Sequence, residues 1–496
     1  MRIFLIWPDS GPEMNSLIAG LEKNAHQITY WVGAPEGEKD KPAGTIFHSY
    51  VDAFEGRPAP GIDPNEFTPP GAELIKKMQK TESLILSMMN RGFDKLCVDE
   101  RRHIYYDLLR YWYGVLEKFK PEVIIFPITP HFTYDYLIYE LAHSLNIKTI
   151  MFLDTKVNDR LFSIDFWSGS AVVQKELRNN QGRNFQVNDL SADLQKYYLK
   201  QTSAGADAEL LYIKLQRNQY SFLNWFLFKL KVAVKSFKRF TIFRDLAVYL
   251  FKVPKVNDYN LFKKELKNFA ARFKNNLKKE YDKLQIEPDL EKKFIYVPIQ
   301  RQPERTTSPQ GDMFVDQILM IETLAASIPA DWVIYAKEHL IQWPSEGINF
   351  SSCRYQGYYQ RIAKIKNVFL IPIKTNSFTL IKKSQAVSLV TGSAGWEASL
   401  RSKPAIAFGY PWYQDLPGLL RVNGADSCRE AIKKIINGYK MDQQNIINYL
   451  KAFEKATIHG YIADRVGRCS KLTKQQSMDN ITQAILREID EYAVTK

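Results

Sequence analysis

The chain has 496 residues, 45% of them hydrophobic and 25% charged, proportions that exclude a largely disordered or fibrous protein. That length exceeds what one core holds, so two or three domains are expected. Lys and Arg number 68 against 54 Asp and Glu, a formal charge of +14, and the four cysteines (Cys97, Cys353, Cys428, Cys469) form no C-x-x-C, which argues against a disulfide framework or a structural zinc and suits a reducing cytosol.

In chain order, Ile3–Trp7 is a short apolar run before Pro8-Asp9, too brief for a signal peptide and read as a first strand. Ile28–Val32, Val123–Phe126 and Thr149–Leu153 are further strands. Between the last two, Leu137, Ile138, Leu141 and Leu145 recur at helical spacing, so Tyr134–Leu145 is a helix and Val123–Leu153 a βαβ unit of a parallel sheet. Asp52–Pro70, rich in Pro and Gly, reads as a loop, and Ile75–Lys120 as long helices. Later, strands at Phe294–Ile299, Trp332–Ala336, Val368–Ile371, Ala386–Val390 and Ala405–Phe408 alternate with helices at Phe314–Ala326, Lys374–Lys383 and Trp396–Leu400. This is a second doubly wound α/β domain. A tail helix, Asn480–Tyr492, could cross back to the first. The expected division is residues 1–200, a helical segment 201–290, a second α/β domain 291–460, and C-terminal helices 461–496. No window holds 18 uninterrupted apolar residues, so no transmembrane helix is predicted.

The charge is concentrated. Leu211–Gln285 carries 18 Lys and Arg against 5 Asp and Glu, a local excess of +13. Aromatic residues such as Phe222, Trp225 and Phe226 recur there at helical spacing, with a break near Pro254. Basic, aromatic, amphipathic helices suit an anionic bilayer surface. The competing reading is a helical insertion with solvated lysines. Nothing resembles a nucleic-acid-binding module, so nucleic acid is not an expected partner.

Ligands of doubly wound sheets sit beyond the carboxyl ends of the strands, so the loops that follow strands are the candidates. Gln300–Thr307 packs Arg301, Gln302, Glu304 and Arg305 into one such loop, and arginine forks suit phosphate. Lys337-Glu338-His339 ends another strand; Lys337 can meet a phosphate and His339 can protonate a leaving one. Thr391-Gly392-Ser393-Ala394-Gly395-Trp396-Glu397 reads as a turn into a helix start, with backbone N–H groups for an anion and Glu397 for ribose hydroxyls. The competing reading there is a helix capped by Ser393. In the first domain, His131 and the run Asp154–Arg160 follow strands; His131, Asp154 and Arg160 are acceptor-side candidates. The carboxylates of that run, Asp154 and Asp159, could serve as base or nucleophile; the competing reading is a loop in which Asp159 and Arg160 make purely local bonds. There is no P-loop, no Gly-x-Gly-x-x-Gly, no nucleophile elbow and no Asp-x-Asp, so no metal ligand is assigned.

At these loops the sequence resembles the capsule polysaccharide biosynthesis family, which includes retaining β-Kdo transferases. Gln302-Pro303-Glu304 corresponds to the family's QPE motif and Lys337-Glu338-His339 to the start of its Lys-Glu-His-Pro motif. Thr391–Ala398, Lys403-Pro404 and Gly409–Tyr413 followed by Leu416-Pro417-Gly418 are similar too. One departure stands out: His339 is followed by Leu340, not proline.

The resemblance implies a GT-B-like fold, two Rossmann-type domains facing a cleft. It implies a metal-independent, nucleotide-sugar-dependent glycosyltransferase with no other cofactor, its donor CMP-Kdo in the Kdo-transferring members. Arg301, Gln302, Arg305, Lys337, His339 and the Thr391–Glu397 turn would line the donor site. Retention of configuration calls for a carboxylate, with Glu304 and Asp159 the leading candidates and Asp154 a third. The expected acceptor is a lipid-linked glycan and the expected location the cytoplasmic face of the inner membrane. The alternatives are a sugar-nucleotide epimerase or hydrolase on the same scaffold, or a non-catalytic component of capsule assembly or export.

Overall fold

The computed structural model describes residues 1–203, 277–343, 352–462, 467 and 470–495. The expected amphipathic helices over 211–276 lie outside the described residues.

The first sheet holds β1 (Arg2–Ile6), β2 (Gln27–Gly33), β3 (Ile46–Ser49), β4 (Val123–Ile125), β5 (Lys148–Asp154) and β6 (Arg160–Ile164). Its strand order, β6-β5-β4-β1-β2-β3, is parallel from β5 to β3. Ile3, Phe4, Leu5, Ile124 and Phe152 are wholly buried because helices cover both faces. β6 departs from the expected parallel sheet. Residues 155–159 are too few for a crossover helix, so β5 and β6 close as an antiparallel hairpin, with Lys156 (φ 61°) and Asn158 (φ 52°) turning the chain. A second difference lies in the expected loop Asp52–Pro70. Its start belongs to a short helix, Tyr50–Glu55, whose Ser49 hydroxyl accepts from the Val51 N–H and which ends at Gly56 (φ 77°).

The second sheet holds β7 (Phe294–Pro298), β8 (Val333–Lys337), β9 (Val368–Leu370), β10 (Ala386–Leu389), β11 (Ala405–Ala407) and β12 (Leu420–Arg421). It runs β12-β11-β10-β7-β8-β9, every pair parallel. The helix Leu277–Leu284 buries Leu277 and Tyr281 in this domain's core, so the last turns of the basic segment are part of the second domain.

The chain then returns. The helix Gln443–Ala456 sets Phe453 edge-on against Phe162, ring centroids 5.2 Å apart. β13 (Thr457–His459) pairs antiparallel with β6 at the edge of the first sheet. The return therefore begins within the 291–460 stretch rather than after it, because the apolar face of this helix (Ile446, Tyr449, Leu450, Phe453) is completed by first-domain residues. The helix Lys474–Thr495 follows and packs Met478, Ile481, Ile485 and Ile489 with Ile3, Leu5 and Leu17. Among the described residues, no helix is long and apolar enough to cross a membrane.

Candidate functional site

In each sheet the order reverses at one point, between β1 and β4 in the first and between β7 and β10 in the second. Chain connections leave in opposite directions there and open a crevice at the strands' carboxyl ends. The loops after β4, β7 and β10 meet in one cleft of about 810 Å³, lined by both domains.

The first-domain wall begins with the loop after β4. Asp135 pins it, its Oδ1 accepting from the His131 N–H (2.9 Å) and the Phe132 N–H (2.7 Å). Burial raises the Asp135 pKa to about 7, against the pull of those bonds. His131 Nδ1 lies 3.1 Å from the Thr129 carbonyl. A carbonyl can only accept, so Nδ1 carries the proton and Nε2 keeps its lone pair. Burial, then Arg91 and Arg305, lower the His131 pKa to about 3. Asp154, at the end of β5, is 7% exposed and accepts from Arg305 Nη2 at 3.4 Å, with Lys156 Nζ at 4.0 Å.

On the opposite wall, Glu304 accepts from Arg301 Nη1 at 2.7 Å and lines the cleft with Arg305. Lys337 donates to the Thr375 carbonyl (2.8 Å) and to Ser377 Oγ (2.6 Å), which fixes its ammonium beside the cleft. His339 Nδ1 accepts from the Ile341 N–H at 3.3 Å, so in the neutral ring Nε2 is the donor. The ring opens to the cleft but is crowded by protein on its other sides. That crowding lowers its pKa; Glu304 and Glu338 oppose the shift, and Arg301 and Lys337 add to it. Thr391 Oγ1 donates to Gln300 Oε1 (3.2 Å) and to the Thr306 carbonyl, tying the third loop to the first. Gly392, Ser393 and Glu397 also line the cleft, with Ser393 Oγ donating to Glu397 Oε1 at 3.1 Å. The hydroxyl of Ser393 thus serves Glu397; the helix Ser393–Ser399 has Gly392 at its N-cap and no side-chain cap.

Four expected site residues fall elsewhere. Asp159 is outside the cleft lining; it accepts from Ser470 Oγ at 2.6 Å and pairs with His459 at 3.1 Å, in the seam where the chain returns. Arg160, 5% exposed, forks onto Asp193 (2.9 and 3.0 Å) and reaches the Glu454 carbonyl, so it holds that same seam. Gln302 turns inward, its Oε1 accepting from Arg354 Nη1 (2.6 Å) and Gln317 Nε2 (3.0 Å). It shapes the loop from behind. Gly395 is a packing glycine: a Cβ there would meet Leu389 Cδ2 at 2.5 Å, with the Tyr413 hydroxyl closer still, so its role is to let the helix approach β10.

Two residues that sequence reading missed complete the site. Arg91 reaches from the first domain to the Pro303 carbonyl at 3.1 Å and lines the cleft, its guanidinium 4.8 Å over the Phe132 ring. Nothing in the arginine-rich run around it singled it out. Arg354 is fully buried and pairs with Glu338, Nε to Oε2, at 2.9 Å. It follows no strand, so the rule that directed attention to loops passed over it.

Two doubly wound sheets facing one cleft across their switch points define a GT-B-like protein. Residues 247–451 match the family described as capsule polysaccharide biosynthesis protein. That stretch, under half of the chain, includes the loops after β7, β8 and β10. Similar solved structures include KpsC, β-Kdo 2,7 transferase, of Thermosulfurimonas dismutans, at 11% identity and TM-score 0.29, covering 75% of this chain and 89% of that one. The β-Kdo 2,4 transferase of the same organism's KpsC stands at 14% and 0.26, covering 66% and 87%. The UDP-GlcNAc 2-epimerase of Neisseria meningitidis, bound to UDP-GlcNAc, stands at 12% and 0.24, covering 99% and 100%. At these scores the likenesses carry no argument, and the fold assignment rests on the strand orders. The curated proteins show no match.

Proposed function

We propose that the protein is a metal-independent glycosyltransferase of surface-polysaccharide assembly. It moves an acidic sugar of the Kdo type from a nucleotide sugar, CMP-linked, to a lipid-linked acceptor. The observation that carries this reading is the pair of switch points opening on one cleft, with Arg301, Lys337 and His339 on the second-domain wall and carboxylates on both walls.

The bond that breaks joins the anomeric carbon to a phosphate oxygen, and negative charge builds on that oxygen. Arg301 and Lys337 are held by Glu304 and by the Thr375–Ser377 turn, so little reorganisation is needed to stabilise it. His339 offers its Nε2–H to the departing phosphate. A retaining route needs a carboxylate at the anomeric carbon. Asp154 replaces Asp159 beside Glu304 as a candidate, since both line the cleft, from opposite walls. In the second domain, Glu397 would take the ribose hydroxyls and Thr391, Gly392 and Ser393 the rest of the nucleotide; the support is that all four line the cleft.

The acceptor's lipid would lie at the cytoplasmic face of the membrane, held there by the basic segment 211–285. The support for this is its composition, 18 basic against 5 acidic residues among aromatic ones. The test of the reaction is nucleotide release from CMP-, UDP- and GDP-sugars by the full-length protein, with and without a membrane glycolipid fraction. Acceptor-dependent release is expected. Release that ignores the acceptor would point to a hydrolase, and no release from any donor would overturn the proposal.

A further inference from the structure

The ladder between β8 and β9 ends at a side chain. Parallel ladder bonds recur at every second residue, and here the Ile334 N–H donates to the Asn367 carbonyl at 2.8 Å. Four residues on in the same register, the Glu338 N–H would meet the Ile371 carbonyl. The Tyr281 hydroxyl stands between these two groups instead. It donates to the Ile371 carbonyl and accepts from the Glu338 N–H at 3.1 Å. Tyr281 is wholly buried, and burial raises its pKa, so the hydroxyl keeps the proton it donates.

This tyrosine comes from the helix Leu277–Leu284, ahead of the second sheet in sequence. Its ring meets Trp343 and Tyr359 near edge-on, centroids 5.5 and 5.1 Å apart. The neighbouring Glu280 accepts from the Gly357 and Tyr359 N–H groups, both at 3.0 Å, and so fixes the helix in place. Two chains leave the hydroxyl for the cleft. One runs through Glu338 to His339; the other runs through Ile371 to the Thr375–Ser377 turn, where Lys337 donates. Two hydrogen bonds through a hydroxyl span a wider gap than one direct bond, so the strand ends are held apart.

We propose that Tyr281 is a positioning residue: its hydroxyl spaces the ends of β8 and β9 so that His339 and Lys337 act together on the leaving phosphate. This rests on the glycosyltransferase reading and adds to it what sets the spacing of the donor wall. Tyr281 is outside the cleft lining and acts through the two strand ends. Without the hydroxyl, the Glu338 N–H and the Ile371 carbonyl pair directly or stand unmet. Either way His339 shifts against Lys337, and a misplacement of about 1 Å costs on the order of 100-fold in rate.

The test compares Tyr281→Phe with Glu280→Gln in the full-length protein. Nucleotide release is measured with the CMP-, UDP- or GDP-sugar that wild type accepts, and stability by thermal melting. Tyr281→Phe is expected to lower kcat at least about tenfold while the donor KM changes less than about threefold. Glu280→Gln loosens the helix but keeps the hydroxyl; it is expected to lower the melting temperature with kcat within about twofold. An unchanged kcat in Tyr281→Phe, or an equal loss of kcat in both variants at equal melting temperature, would overturn the proposal. Should Tyr281→Phe not fold, hydrogen exchange of wild type gives a second reading. The Glu338 amide is expected to be protected like a ladder amide, and CMP to slow exchange at His339 and at Thr375–Ser377 together. An unprotected Glu338 amide, or a response at one of the two places alone, would also overturn it. Failure of wild type to release nucleotide from any donor would count against the transferase reading, while the exchange measurement would still read the spacing.

Discussion

Arg354 and Glu338 form an ion pair with no solvent exposure on either side chain, Nε to Oε2 at 2.9 Å. The remaining valences of both are used: Arg354 reaches Gln302 Oε1 (2.6 Å) and the Gln300 carbonyl (3.2 Å), and Glu338 accepts from the Tyr359 hydroxyl (2.6 Å) and the His339 N–H (2.7 Å). One pair therefore joins the loop after β7 to the loop after β8, and so sets Glu304 against His339.

Breaking that pair leaves an uncompensated charge in the interior. Arg354→Ala or Glu338→Ala is expected to cost about 3–5 kcal/mol, read as a lower denaturation midpoint. The double variant Arg354→Met/Glu338→Leu should recover much of that stability without recovering nucleotide release, because the loops lose their link even when no charge is stranded. Full activity in the double variant would refute the link.

The carboxylates separate by place. Glu304→Gln and Asp154→Asn should each lower turnover at least about 100-fold with nucleotide affinity retained, the pattern of a group needed only in the transition state. Asp159→Asn should leave turnover within about threefold and lower stability by about 1 kcal/mol, since its bonds to Ser470 and His459 hold the returning chain. Turnover falling with Asp159→Asn as it does with Glu304→Gln would reverse this assignment.

Gly409 packs closely against Gln310, Gly311 and Thr391. A Cβ there would lie 2.6 Å from the Gln310 carbonyl oxygen, 2.8 Å from Thr391 Cγ2 and 3.0 Å from Gly311 Cα, and two of these are backbone atoms that cannot rotate away. Gly409→Ala should cost about 1–3 kcal/mol and weaken nucleotide binding by displacing Thr391. An unchanged melting temperature would show that the loop yields.

Acidity acts through buried histidines. His48, fully buried, accepts from or donates to Tyr30 Oη at Nδ1 (2.8 Å) and gives its Nε2–H to the Arg57 carbonyl (2.9 Å). With that proton on Nε2, the neutral ring accepts from Tyr30. Burial lowers its pKa to about 4, and that of His131 to about 3. Both are depressed from 6.5, so their contribution is complete above pH 6.5 and is lost as pH falls toward 4 and 3, by up to about 1.4 kcal/mol per pH unit for each group. Asp135 acts in the opposite sense. Its pKa is raised from 3.8 to about 7, so its contribution is complete below pH 3.8 and is lost as pH rises through 7. Asp135→Asn should therefore fare better against wild type at pH 8 than at pH 4 in denaturant titrations. A difference that does not change with pH would show that Asp135 is ionised throughout.

The proposed membrane contact of the basic segment is tested apart from the chemistry. Co-sedimentation of the full-length protein with vesicles should rise with anionic lipid and fall with added salt, as expected of clustered lysines and arginines. Indifference to both would remove the membrane from the account and leave the cleft as it stands.

The elements were legible where periodicity is local. Leu137, Ile138, Leu141 and Leu145 mark a helix without help from any distant residue, and the strands from Phe294 to Phe408 stand where alternation with helices places them. The loops after β7, β8 and β10 were legible for the same reason, since a strand end is a local event and the motifs lie on it. β6 and β13 were not, because an antiparallel edge strand is set by its partner, and β13 finds its partner nearly 300 residues upstream.

Side-chain direction was the harder part. Glu304 and Asp159 are equally good carboxylates on paper, and so are Gln302 and Arg301 as polar groups of one loop. The sequence by itself determined two doubly wound domains, the second-domain loops that line the cleft, and where the charge is concentrated. Only the tertiary structure decided that Asp154 enters the cleft and Asp159 does not, that Gln302 turns inward to Arg354, and that Arg91 crosses to Pro303. The reason is physical. A strand's period assigns a residue to a face, but what that face meets depends on the chain's return through 443–495 and on the other domain, neither of which is encoded near the residue concerned.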